Sequence, residues 1–337
     1  MDNDGKLILR ALERAGKSQD EGEEIKKELI RSRLDLTKEN PDPEVLVSLD
    51  GLPLCTLGNF SVIVGLPGSR KSFLCTAIAG SYISPSGFMG MDNDNGPGRL
   101  LWFDSEQAAG HVARIGRRLH RIAGLPTDIN SDSIIICMLR EYSFDIRRKM
   151  VTMGIETYRP GFVVVDGLAD LISNANDPEQ SDSITDELMR LTTEYNCHIL
   201  TVVHSNFAAA DRARGHLGGD AIRKCETAIS VTAKEETSVC TYIKTRDKRP
   251  NDFAFGISEG LPTEVPYKSR ETAAEVLKKT FTAVMPTATD SATYSELCTR
   301  LMEVTGLKID AAKKKIANAT AKGIIGKTDD GVYHLNR

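Results

Sequence analysis

The run Phe60-Ser61-Val62-Ile63-Val64 leads directly into Gly65-Leu66-Pro67-Gly68-Ser69-Arg70-Lys71-Ser72. β-Branched, apolar residues suit a buried strand, and the Gly/Pro-rich stretch after them suits a tight turn. Behind the turn, Phe73-Leu74-Cys75-Thr76-Ala77-Ile78-Ala79 reads as an apolar helix. Strand, glycine-rich loop and Lys-Ser at a helix start make a P-loop, whose backbone N–H groups and helix N-terminus hold phosphate oxygens. Lys71 is expected on the β/γ-phosphates of ATP and Ser72 on Mg²⁺. Gly65, Gly68, Ser69 and Arg70 complete the expected cradle. Glycine normally precedes the lysine, because a side chain there crowds the approach to phosphate. Arg70 fits if its side chain points outward and its φ stays negative. A site that binds nucleotide without hydrolysing it, and a chance turn, are the alternatives.

At 337 residues the chain has room for one large domain and a small appendage. A net charge of −4 excludes a protein basic all over, so any nucleic-acid contact must come from local patches. No apolar run approaches the roughly 20 residues a membrane helix needs. Met1-Asp2-Asn3-Asp4-Gly5 lacks the pattern of a secretory signal. Seven cysteines occur singly, which predicts reduced core thiols in a cytoplasmic protein and no zinc site. Cys197 and His198 are adjacent on an expected strand, so their side chains diverge.

Residues 1–45 form a helical arm, with an exposed amphipathic helix over 19–38 that Pro41-Asp42-Pro43 ends. Residues 46–260 alternate strand-like and helix-like segments, which predicts an α/β fold with a mainly parallel sheet. Strands are expected at 60–64, 99–103, 133–138, 161–165, 198–203 and 226–232, and helices at 71–82, 107–124, 143–157 and 181–195. Residues 84–98 read as a flexible surface loop, 239–246 with 252–258 as an antiparallel pair, and 261–290 as a linker. In 291–337, a helix over Tyr294–Met302, a second one capped by Asp310, and a hairpin over 323–335 resemble a winged helix-turn-helix. Its Lys313, Lys314 and Lys315 are expected on DNA phosphates, with a solvated lysine face as the alternative.

Phe162-Val163-Val164-Val165-Asp166 is a buried-strand pattern ending in a carboxylate, placed to hold Mg²⁺. Leu101-Trp102-Phe103-Asp104-Ser105-Glu106 ends in acid too. Glu106 either polarises the attacking water or merely follows a Ser105 helix cap. His204 ends the strand Ile199–Val203 and is a candidate phosphate sensor or a plain surface histidine. The small-residue stretch 207–219 reads as a mobile loop whose Arg212 and Arg214 suit single-stranded nucleic acid. Lys244 and Arg246 alternate along a strand, as arginine-finger candidates or as a solvated basic hairpin.

P-loop, strand-Glu, strand-Asp, strand-His, glycine-rich loop and Lys-x-Arg follow in an order that resembles the RecA-like ATPases. In style it is similar to plasmid RepA-type and DnaB-type hexameric replicative helicases. The phrases that carry the resemblance are Val62 to Ser72, Leu101 to Glu106, Phe162 to Asp166, Val202 to Asn206 and Ile243 to Arg246, and it covers residues 46–258. It implies Glu106 as catalytic carboxylate, His204 as sensor, and Lys244 with Arg246 as fingers acting on a neighbouring subunit. It further implies a homo-oligomeric, Mg²⁺-ATP-dependent motor on single- or double-stranded DNA, of the kind carried by plasmids, phages and mobile elements. A DNA-binding ATP switch and a filament-forming recombination mediator are the alternatives.

Overall fold

The computed structural model describes residues 19–39, 41–206, 209–267, 273–287, 290–328 and 330–336. The first five residues, Phe207 and Ala208, and the side chain of Arg212 lie outside the described residues. The rest falls into two units that divide between Val45 and Leu46. In the first, α1 (Gln19–Arg31) stops well before the prolines that were expected to end it. The Ser32 hydroxyl donates to the Leu29 carbonyl, and such local bonds compete with continued helix. Leu29 and Ile30 are exposed.

In the second unit, β1 (Val45–Leu49), β2 (Leu52–Thr56) and β3 (Phe60–Gly65) precede α2 (Lys71–Ile83) and β4 (Met91–Asn93). The middle of the unit holds β5 (Leu100–Asp104), α3 (Ala109–Ile122), β6 (Ile134–Met138), α4 (Phe144–Tyr158), β7 (Phe162–Asp166) and α5 (Pro178–Tyr195). Next come β8 (His198–Asn206), β9 (Ala209–Ala213), α6 (Gly215–Lys224), β10 (Ala228–Lys234), β11 (Thr237–Lys244), β12 (Phe253–Ser258) and β13 (Leu261–Val265). The main sheet runs β13-β12-β11-β10-β3-β8-β7-β5-β6, with β9 paired to β8. From β10 to β6 it is parallel, and β11 to β13 extend it antiparallel. This is an α/β fold with a large, mainly parallel sheet, as the alternation of segments predicts.

Period-two alternation sorts the strands between two cores. Ile63, Leu100, Trp102, Phe162, Val164 and Leu200 pack with α2 and α3 on one face. Val62, Val64, Leu101, Phe103, Val163 and Val165 pack with α4, α5 and α6 on the other. Burial on both faces is why these strands read as unbroken apolar runs. Each fully buried side chain of this size contributes about 1.5–3 kcal/mol.

Other expectations in this unit need correction. The loop 84–98 contains β4, whose buried Met91 pairs with Leu49 of β1. Most of the expected linker is ordered structure: β13, then α7 (Ala273–Val284), whose Leu277 and Phe281 are buried. Finally, 207–219 is not a mobile loop across its described part, where β9 pairs with β8 and α6 begins at Gly215.

The chain ends with β14 (Ser291–Ala292), α8 (Tyr294–Thr305), α9 (Ile309–Ala321), β15 (Ile325–Lys327) and β16 (Tyr333–Leu335). Thr293 and Glu296 form a reciprocal capping box on α8. Asp310 does not cap α9: the helix starts one residue earlier, with Lys308 at its N-cap. The strands form a three-stranded sheet in the order β14-β16-β15, and α7, α8 and α9 share a core with it around Phe281, Leu297, Leu301 and Ile316.

Candidate functional site

The carboxyl ends of β3, β8, β7 and β5 lie side by side: Gly65 is level with His204, and Asp104 with Asp166. Ligands of open α/β sheets gather at such an edge. Gly65 is demanded by packing, since a Cβ there would sit 2.5 Å from Ser69 Oγ and 2.6 Å from the Val231 carbonyl. Gly68 turns the loop with φ +78°. The Ser69 hydroxyl is buried without a hydrogen-bond partner among the described residues, the kind of donor a phosphate oxygen satisfies.

Lys71 opens α2 and is buried. Its Nζ donates to the carbonyls of Gly65 and Leu66, both at 3.0 Å, and stands 3.4 Å from His204 Nδ1. Burial lowers the pKa of its ammonium, and the nearby Glu106 and Asp166 charges oppose that. Ser72 Oγ donates to Asp166 Oδ2 at 2.8 Å. Burial pushes the Asp166 carboxyl up to about 6, with the Ser72 bond working against the rise. A hydroxyl and a carboxylate in contact beside a P-loop are the oxygen donors that Mg²⁺ takes. The residues present therefore fit a nucleotide with its magnesium.

His204 links Lys71 to Glu106, its Nε2 lying 3.1 Å from Glu106 Oε1. An ammonium only donates, so Nδ1 accepts from Lys71 and Nε2–H donates to the carboxylate. That bond is the largest cause of a lowered Glu106 pKa, which keeps the carboxylate ionised. The helix-cap alternative for this stretch fails. α3 begins only at Ala109, with Ala108 as its N-cap, and the Ser105 hydroxyl donates to Asp170 Oδ2 at 2.7 Å instead. Asp104 does the local organising, accepting the backbone N–H groups of Glu106 (3.2 Å) and Gln107 (2.7 Å). Sequence reasoning missed Asp104 as anything but a strand end, although it stands two residues before Glu106.

Arg70 corrects the expectation of a negative φ, while its side chain does turn outward from the cradle, onto the neighbouring turn. Its φ is +69°, left-handed, at a cost of about 1–2 kcal/mol for an L-residue. The loop thus keeps the conformation that glycine adopts freely. The guanidinium donates to the carbonyls of Thr237 and Glu235, both at 2.9 Å, in the turn between β10 and β11.

The AAA domain family matches residues 28–210, more than half of the 337-residue chain. The chain belongs to this family of P-loop NTPases. No curated protein matches it. Family membership supports ATPase activity and implies nucleotide binding, typically with Mg²⁺.

Other expected site residues of this AAA-domain protein lie elsewhere. Lys244 Nζ donates to the carbonyls of Ile222 (3.1 Å) and Arg223 (2.6 Å), closing the C-terminal end of α6. Arg246 donates to Asn59 Oδ1 at 3.3 Å, just ahead of β3. Arg214 is exposed at the start of α6, and its N–H donates to the His204 carbonyl at 2.9 Å. Lys313 and Lys314 are exposed on α9, and Lys315 is half-buried. Among the described residues no group of His, Cys, Asp or Glu has the makings of a metal centre, and no helix is long and apolar enough to cross a membrane.

Proposed function

We propose that this AAA-domain ATPase is a Mg²⁺-ATP-dependent, DNA-acting motor of the hexameric replicative-helicase type, working in the cytoplasm. Bound ATP would lie on the Gly65–Ser72 loop, with Lys71 and the Ser69 hydroxyl on its phosphates. Magnesium, on Ser72 and Asp166, would neutralise charge on the transferring phosphoryl group. Glu106 holds and polarises the attacking water, and His204, bonded to both Glu106 and Lys71, senses the phosphate.

The observation that carries the shared-site reading is the placement of the basic pair. β11 runs antiparallel to β10, so Lys244 pairs with Ala228, which is level with Val62 near the start of β3. That is about 10 Å short of Gly65 along the strand, and Arg246 lies farther away still. Neither cation reaches the phosphates on its own loop. Both are fingers only for a neighbour's nucleotide, which makes an oligomer necessary for hydrolysis. Of the two, Arg246 has less to give up, since Lys244 holds two α6 carbonyls.

Two features support action on DNA. The helix, helix and hairpin of α8, α9, β15 and β16 follow the winged helix-turn-helix order, with Lys313 to Lys315 for phosphates. Arg214, with Arg212 two residues before it, adds positive charge beyond the end of β8. A RecA-like core with such a module also suits a plasmid, phage or mobile element.

Native mass and turnover test the reading together. Ring-sized particles, turnover stimulated by single-stranded DNA and strand separation on a forked duplex are expected, with turnover lost in Lys71→Ala. Open-ended polymers would favour a filament former, and a fixed dimer that separates no strands would favour an ATP switch.

A further inference from the structure

Arg70 stands beside Lys71 in the loop that meets phosphate, yet its side chain turns away from the cradle. Nη1 donates to the Thr237 carbonyl at 2.9 Å and to Ser238 Oγ at 3.3 Å, and Nη2 donates to the Glu235 carbonyl at 2.9 Å. A second tie runs beside it, from Ser238 Oγ to the Ser69 carbonyl at 3.2 Å. The loop is thereby fastened at two consecutive residues to the turn that starts β11. A planar guanidinium gripping two main-chain carbonyls is geometrically exacting, so it transmits displacement rather than absorbing it. The Lys71 ammonium already donates to the Gly65 and Leu66 carbonyls and to His204 Nδ1, so a phosphate oxygen must displace at least one of these, and Arg70 is covalently next to it. The strand that begins at this tie ends at Lys244, two residues from Arg246.

We propose that Arg70 is a positioning residue that makes the β10–β11 turn respond to nucleotide on the P-loop, linking the site to the strand that carries Lys244 and Arg246. Glycine at this position would leave the loop able to bind but without its grip on the turn. The response of the turn rests on the P-loop being a nucleotide site. It does not rest on the fingers acting between subunits.

Amide hydrogen exchange on the full chain, with and without Mg²⁺-ADP, reads both ends of the tie. In the natural sequence, amides of residues 65–72 and of 235–238 should both slow on ADP addition. In Arg70→Gly, 65–72 should still slow while the turn loses most of its response. Ser238→Ala should lose part of it, and Arg70→Lys should recover part relative to Arg70→Gly. A turn that responds equally in Arg70→Gly, or that never responds in the natural sequence while 65–72 does, overturns the link. Should Arg70→Gly fail to fold, Ser238→Ala decides, and an undiminished turn response there overturns the proposal. No slowing at 65–72 in the natural sequence would strike the nucleotide site itself, and this proposal with it.

Discussion

Glu106 is half-exposed, ionised and hydrogen-bonded to a histidine that also touches the P-loop lysine. That arrangement suits a group which orients water without contributing to nucleotide affinity. Glu106→Gln should therefore bind ATP as before and lose about 10²–10⁴-fold in turnover, the usual worth of a general base. Equilibrium binding with single-turnover hydrolysis separates the two, and a near-normal rate would leave Glu106 without a catalytic role. The sequence could place Lys71, Ser72, Asp166, Glu106 and His204 near one another, as the structure does, because each lies at or near the carboxyl end of an apolar strand or the start of a helix. Asp104 and Arg70 were legible only as letters. What Arg70 does depends on carbonyls 165 and 167 positions away, and main-chain carbonyls leave no mark in sequence.

At the scale of elements, strands buried on both faces announce themselves, whereas short pieces that complete an edge do not. β4 is three residues long and lies among Asn, Asp and Gly, so only its pairing with β1 identifies it. α7 was hidden by the Pro- and Thr-containing text around it, although its Leu277 and Phe281 belong to the carboxyl-terminal core. β8 carries a consequence of burial that pH exposes. His198, at its start, is wholly buried against Phe162, with Nδ1 2.9 Å from the Thr56 carbonyl and 3.8 Å from Glu226. Burial pushes its pKa down to about 4 from the ordinary 6.5. Between those values the unfolded chain takes up a proton that the native protein refuses, so the neutral histidine's contribution is intact above pH 6.5 and lost as pH falls towards 4. The sum over that window is on the order of 3 kcal/mol. Raised carboxyls such as Asp166 and Glu226 act in the opposite sense, but both proteins in the comparison share them. The stability gap between the natural sequence and His198→Gln, measured by urea unfolding, should shrink from pH 7 to pH 4.5. A gap that stays constant would mean His198 titrates normally.

At the scale of the whole molecule, the phosphate-loop residues and the proposed finger lie at opposite ends of the sheet. Loop, lysine and carboxylates occupy the carboxyl end of β3, and Arg246 stands beyond its amino end, beside Asn59. On the proposed shared-site reading, one chain would supply a cradle at one edge and a cation at the other, and a complete site would take two chains. Arg246→Ala should bind ATP yet hydrolyse it roughly 10³-fold more slowly, as loss of a finger typically does. Lys71→Ala should be inactive for the opposite reason, keeping the finger and losing the cradle. Mixed after subunit exchange, the two should recover part of the natural turnover, because some interfaces then join an intact cradle to an intact Arg246. Recovery should follow the fraction of such interfaces as the mixing ratio is varied, with its maximum near equal amounts. A chain that hydrolyses ATP alone cannot be rescued in this way. If exchange is confirmed by mass and no turnover returns, Arg246 does not act across an interface, and the two edges of the sheet serve separate purposes.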